Sequence, residues 1–132
     1  MFVCSKTEPI VKTKAGKIRG FIIDGTYTFH GIKYANAKRF QAPTEVEPWE
    51  GVKDALSYGF VCPMLEPETA VGEIMVPHRY WPKDENCQYL NIWTQSIEPD
   101  ANKPVMVWLH GCGFATGSSI EQVAYDGENM SK

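Results

Sequence analysis

Pro104-Val105-Met106-Val107-Trp108-Leu109-His110-Gly111-Cys112-Gly113-Phe114 is the stretch on which the reading of this chain turns. Val105 to Leu109 is apolar throughout, which predicts a strand covered on both faces, as in a parallel sheet flanked by helices. That places the chain in the α/β class. The run stops at His110 and opens into a glycine-rich turn, so the strand end delivers backbone N–H groups to one place. Such a turn can hold an anion, and an oxyanion is one kind of anion.

Gly111-Cys112-Gly113 has several chemical readings. A dinucleotide fingerprint requires G-x-G-x-x-G, and the third glycine, Gly117, falls one residue too far along. A phosphate-cradling loop requires G-x-x-x-x-G-K-[ST], and no lysine stands in place. An oxyanion hole requires only two adjacent amides aimed at one point. A tight turn without a ligand stands beside it as the plain alternative. A nucleophilic Cys112 would need a base placed beside it, which makes that role the lesser reading.

Composition excludes other classes. The 132 residues allow one domain at most, and the net charge of −3 gives no electrostatic basis for binding nucleic acid or an anionic membrane. No apolar run approaches the ~20 residues of a membrane span. Cys4, Cys62, Cys87 and Cys112 form no C-x-x-C pair, so no metal site or other cofactor is expected. Met1 to Lys6 lacks the apolar core of a secretory signal, which predicts a cytoplasmic chain, or a secreted one only after processing.

Outward from the central stretch, Ile10 to Tyr34 reads as a meander. Ile10–Thr13 and Lys17–Ile23 are strands separated by a turn at Lys14-Ala15-Gly16. Asp24-Gly25 is a two-residue hairpin signal leading into Thr26–Ile32, and a small antiparallel sheet is expected. Ala35 to Pro48 is an extended loop, Trp49–Leu56 a further short element, and Pro63 to Pro82 an irregular stretch. Tyr89–Thr94 alternates as a strand. Asp126 is expected to cap a short helix from Gly127, with Glu128 in its first turn. Long amphipathic helices to cover Val105–Leu109 are missing. The chain therefore reads as the opening part of a larger α/β domain, aggregation-prone if isolated.

Several segments, taken in order, resemble the type B carboxylesterases, the α/β-hydrolase family that includes the cholinesterases. Phe29-His30-Gly31-Ile32-Lys33-Tyr34-Ala35 resembles F-x-G-I-P-Y-A, with Lys33 in place of proline. Arg39-Phe40 with Pro43, then Pro48-Trp49-Glu50-Gly51, then Cys62-Pro63 resemble the blocks that follow. Glu85-Asn86-Cys87-Gln88-Tyr89-Leu90-Asn91 resembles E-D-C-L-Y-L-N, and His110-Gly111-Cys112-Gly113-Phe114 resembles the H-G-G-G-F oxyanion segment. The likeness runs from about Ile10 to Lys132.

The resemblance implies roles residue by residue. Oxyanion-hole amides fall on Cys112 and Gly113, with Cys112 standing where the family has glycine. His110 takes a structural place under the turn, and the general base would come late in the chain. Arg39 and Glu85 match a structural ion pair. Cys62 and Cys87 match the pair that is bridged in secreted animal members, although free thiols are expected without a signal peptide. Asn86 stands where aspartate is usual. Tyr80, Trp81, Trp93 and Trp108 read as anchors, with Tyr80 or Trp81 alternatively at a gorge mouth. Asn129-Met130-Ser131 is a sequon without evident use.

The nucleophile elbow G-x-S-x-G is not found in these residues, and Gly117-Ser118-Ser119-Ile120-Glu121 lacks its final glycine. The expectation is a single incomplete hydrolase domain over residues 1–132. In complete form it would be a serine carboxylesterase acting on a small-molecule ester; the isolated chain would be inactive, and the partner would be the rest of the domain. A non-catalytic esterase-like binding or adhesion module is the alternative. A nucleotide-binding segment, stabilised by NAD or ATP, is a remoter third.

Overall fold

Short alternating segments pair wherever turn chemistry brings them back. The computed structural model describes residues 8–64 and 77–132. Cys4, and Pro67 within the irregular stretch, lie outside the described residues. The strands are β1 (Ile10–Lys12), β2 (Lys17–Arg19), β3 (Phe21–Ile23), β4 (Thr26–Lys33), β5 (Val52–Asp54) and β6 (Tyr89–Thr94). They form two three-stranded sheets, ordered β1-β2-β5 and β3-β4-β6.

The turns explain the pairing. Between β1 and β2, the Thr13 hydroxyl accepts the amides of Ala15 at 3.3 Å and Gly16 at 3.2 Å, closing the bend that Lys14-Ala15-Gly16 predicts. Asp24 and Gly25 take φ of 45° and 80°, the left-handed pair of a type I′ hairpin. The hairpin sets Ile23 opposite Thr26 and Phe21 opposite Thr28.

On its other edge β4 pairs antiparallel with β6, and one extra residue enters β4 between Phe29 and Ile32. Gly31 sits at that bulge with φ of +64°, and its amide donates to Asn91 Oδ1 at 2.9 Å. A Cβ at Gly31 would meet the Ser57 carbonyl and lie 2.8 Å from the Gly59 amide nitrogen. Glycine is therefore required here twice over, by φ and by space.

Ile18, Phe29 and Ala55 form the centre of the core, with Val11, Tyr27, Ile32, Trp49 and Ile97 packed round it. Ala55 joins the sheets through its backbone: its amide donates to the Arg19 carbonyl at 2.8 Å, and its carbonyl accepts the His30 amide at 2.8 Å.

Three sequence expectations are corrected. The N-terminal meander is not one antiparallel sheet, because the chain crosses between sheets at Gly20, and β5 joins β2 in parallel. The Gly20 amide donates to the Pro9 carbonyl at 2.9 Å, and a side chain there would run into the Phe29 ring. The crossing thus follows from close packing over Phe29.

Val105 to Leu109 is not a strand but an exposed segment, with Val105 86% and Leu109 82% accessible. A strand exists only by pairing, and no described strand borders this one. Asp126 does not cap a helix. It follows a 3-10 turn at Val123–Tyr125, and a second 3-10 turn at Asn129–Ser131 begins after Glu128. With so few residues between Ser119 and Lys132 in helical register, two single turns form in place of an α-helix. Among the described residues no helix is long and apolar enough to cross a membrane.

Candidate functional site

The apolar segment ends in a turn whose backbone is left-handed at three consecutive residues. Cys112, Gly113 and Phe114 have φ of 79°, 61° and 63°. Only glycine enters this region without cost; for Cys112 and Phe114 it costs about 1–3 kcal/mol each. The turn is closed from one side only. The Cys112 carbonyl accepts the Ala115 amide at 3.2 Å and the Thr116 amide at 3.4 Å. Among the described residues, neither the Cys112 nor the Gly113 amide donates a hydrogen bond. Both N–H groups stand on an exposed turn, free for an incoming oxygen.

His110 is exposed, and its Nδ1 lies 3.2 Å from the Gly111 carbonyl, within the turn it precedes. Ser118 and Ile120 are buried just beyond, and Ser118 offers its carbonyl to the Glu121 amide at 3.3 Å. Trp108 packs against Tyr125 with ring centroids 5.6 Å apart. Tyr125 holds its phenolic proton above the usual value, through desolvation first and then through the nearby Cys112 and Glu121. The end of the apolar segment, the turn and the following 3-10 turn thus share one neighbourhood.

Arg39 and Glu85 form an ion pair, both largely exposed, so its stabilisation is modest. Cys62 and Cys87 are free thiols. Burial pushes the Cys87 thiol up, and the adjacent Cys62 adds to the rise. Trp81 donates its indole N–H to the Tyr58 carbonyl at 3.2 Å, which makes it an anchor for that residue, while Tyr80 is exposed.

A second titratable group lies on β4. His30 stacks on Tyr58 at 4.1 Å and meets Phe21 and Trp93 edge-on at 5.2 and 5.5 Å. Its Nε2 is buried with no hydrogen-bond partner among the described residues. Desolvation lowers its pKa to about 4, with Asp126 acting to raise it and Arg79 to lower it. The ring is a packed aromatic, and it is neutral at neutral pH.

The structure also gathers residues that the sequence reading left without roles. His78 and Arg79 run beside Gln122 and Glu121: His78 bridges to Gln122, and the Arg79 amide donates to the Glu121 carbonyl at 2.6 Å. Arg79 Nη2 lies 3.7 Å from Asp126 Oδ2. No local spacing announces these pairs, because the partners come from distant parts of the chain.

The model of the carboxylesterase family matches residues 7–132. The para-nitrobenzyl esterase of Bacillus subtilis is 36% identical over 128 residues, covering 94% of this chain and 25% of the relative. The acetylcholinesterase of Gallus gallus is 36% identical over 137 residues, covering 92% of this chain and 17% of the relative. Among solved structures, an esterase from anaerobic Clostridium hathewayi, described as hydrolysing aliphatic aromatic polyesters, has a TM-score of 0.90 and 62% identity. It covers 99% of this chain and 26% of its own length. A para-nitrobenzyl esterase structure has a TM-score of 0.78 and 36% identity over 95% of this chain and 25% of its own. The chain spans a quarter or less of the length of these two curated relatives, and its small sheets are part of the α/β-hydrolase fold. Over nearly all of its residues, this chain belongs to the carboxylesterase family.

Proposed function

We propose that this chain contributes the oxyanion-binding half of a serine carboxylesterase site. The carrying observation is the pair of unengaged amides at Cys112 and Gly113, exposed on a left-handed turn. When a serine attacks an ester carbonyl, negative charge develops on the carbonyl oxygen. Preorganised N–H donors stabilise that charge, and losing one donor in comparable sites lowers kcat roughly 10²–10³-fold. A thiol at the middle position of the triplet narrows the space beside the oxyanion and bears on which acyl groups enter.

The nucleophile, acid and base come from the remainder of the hydrolase domain, since G-x-S-x-G is not found among the 132 residues. The substrate is a small ester, and esters with an aromatic part suit the chain best. Support comes from its relatives, a para-nitrobenzyl esterase and an esterase that hydrolyses aliphatic aromatic polyesters.

The test is an assay with para-nitrophenyl acetate and para-nitrophenyl benzoate. The chain alone should give no saturable turnover. Joined to the remainder of a hydrolase domain taken from a carboxylesterase relative, it should give saturable hydrolysis. Turnover by the chain alone would overturn the division of the site between segments.

A further inference from the structure

The outer face of the β1-β2-β5 sheet carries two positive charges that its own residues do not neutralise. Val11 and Ile18 turn inward to the core, so alternation turns Lys12, Lys17 and Arg19 outward. In one cross-strand row Ile10 faces Arg19, and Asp54 stands beside Arg19 on β5. Arg19 is neutralised there, with Nη1 2.8 Å from Glu8 Oε2 and Nη2 2.6 Å from Asp54 Oδ1. In the next row Lys12 faces Lys17, and Val52 stands beside Lys17. Among the described residues neither lysine forms an ion pair, and nearby Lys14 is already paired with Glu45 at 2.8 Å. Like charges directly opposite on paired strands destabilise a sheet.

The two lysines flank a hollow. A cavity of about 250 Å³ is lined by Lys12, Gly16, Lys17, Trp49, Gly51 and Val52, with no carboxylate among them. Trp49 is a fixed wall: its amide donates to the Ala15 carbonyl at 2.9 Å and its indole N–H to the Lys17 carbonyl at 3.0 Å. Gly16 makes room for the indole, since a Cβ there would meet the ring. Lys53 Nζ, 4.1 Å from the ring centroid, adds a further positive charge to the neighbourhood. Val52 leaves 45% of its surface uncovered.

This combination selects a chemistry. Ammonium groups on long flexible stems act as point charges and can converge on one anion. The apolar part of the lining favours an anion that carries hydrocarbon over a strongly hydrated inorganic phosphate.

We propose that the hollow between Lys12, Lys17 and Trp49 binds a small organic carboxylate. The two ammonium groups take the carboxylate, and Val52 and Trp49 take the apolar part. Binding relieves the repulsion between Lys12 and Lys17, so the ligand stabilises the sheet that holds it. The site is independent of the reading given to the Cys112 and Gly113 amides.

Nuclear magnetic resonance of the full, ¹⁵N-labelled chain tests the site, with sodium benzoate as probe and ionic strength held constant with sodium chloride. The amide signals of Gly16, Gly51 and Val52 should shift along a saturable curve. The Kd expected for so small a ligand is on the order of 1 mM. Lys12→Gln and Lys17→Gln should each weaken binding roughly threefold, and the double variant should not bind. Benzyl alcohol, which keeps the ring without the charge, should not saturate, nor should inorganic phosphate. No saturation with benzoate would overturn the proposal, as would equal binding by the double variant, by benzyl alcohol or by phosphate.

Stability gives a second reading. Each single variant removes one of two opposed charges at an exposed position, so each should raise the urea midpoint at low ionic strength. Sodium benzoate should raise the midpoint of the parent and leave that of the double variant unmoved. A lower midpoint in the single variants would show that each lysine already has a partner, and would overturn the proposal as well.

Discussion

His30 shows how one buried ring sets a response to pH. In the unfolded chain it titrates near 6.5, and in the folded chain near 4, because burial disfavours its charged form. Between those values the unfolded state binds the proton, so stability falls as pH drops from about 6.5 to about 4 and is unaffected by this group above that window. His30→Phe keeps the stacking on Tyr58 and removes the titration. Urea unfolding at several pH values should show a shallower acid loss in the variant. Equal slopes would contradict the assignment. At Gly31 the expectation is purely steric. Gly31→Ala places a methyl group against the Gly59 amide at a φ of +64°, and should cost at least about 2 kcal/mol by the denaturant midpoint. An unchanged midpoint would show that the bulge tolerates a side chain. The need for Gly25 was legible from the Asp-Gly pair. That for Gly31 was not, since the bulge arises from pairing with β6, far along the chain.

At the scale of elements, the strands from Ile10 to Lys33 and from Tyr89 to Thr94 were legible because alternation and turn residues are local signals. The assignment of strands to two sheets was not. It depends on how Gly20 crosses Phe29 and on where β5 docks, and neither leaves a periodic trace. Val105–Leu109 carries the opposite lesson. Its composition reads as a covered strand, yet here it is exposed, since a hydrophobic run records what a complete sheet would supply. The prediction follows from exposure. Leu109→Lys should change the unfolding free energy of this chain by less than about 0.5 kcal/mol. It should also reduce binding of an apolar dye and light scattering at high concentration. A loss of several kcal/mol would mean that Leu109 is packed after all.

For the whole molecule, the small core sets the terms. Ile18, Phe29 and Ala55 sit where both sheets and the Ala55 backbone meet. Phe29→Ala should cost about 3–5 kcal/mol, enough to unfold a chain with a core this limited; chemical denaturation measures it, and a small shift would place the core elsewhere. Family membership was legible because several separated blocks fall in order. The glycine-rich turn after Leu109 was legible as well, and the oxyanion role given to its Cys112 and Gly113 amides is a proposal. The residues behind it, Glu121 and His78, emerged only when the fold brought distant segments together. The most direct test of the site removes one N–H and nothing else. In the chain joined to the remainder of its hydrolase domain, the amide of Gly113 is replaced by an ester linkage. The account predicts a loss of roughly 10²–10³ in kcat with little change in KM. An unaltered kcat would show that the Gly113 amide does not serve the oxyanion.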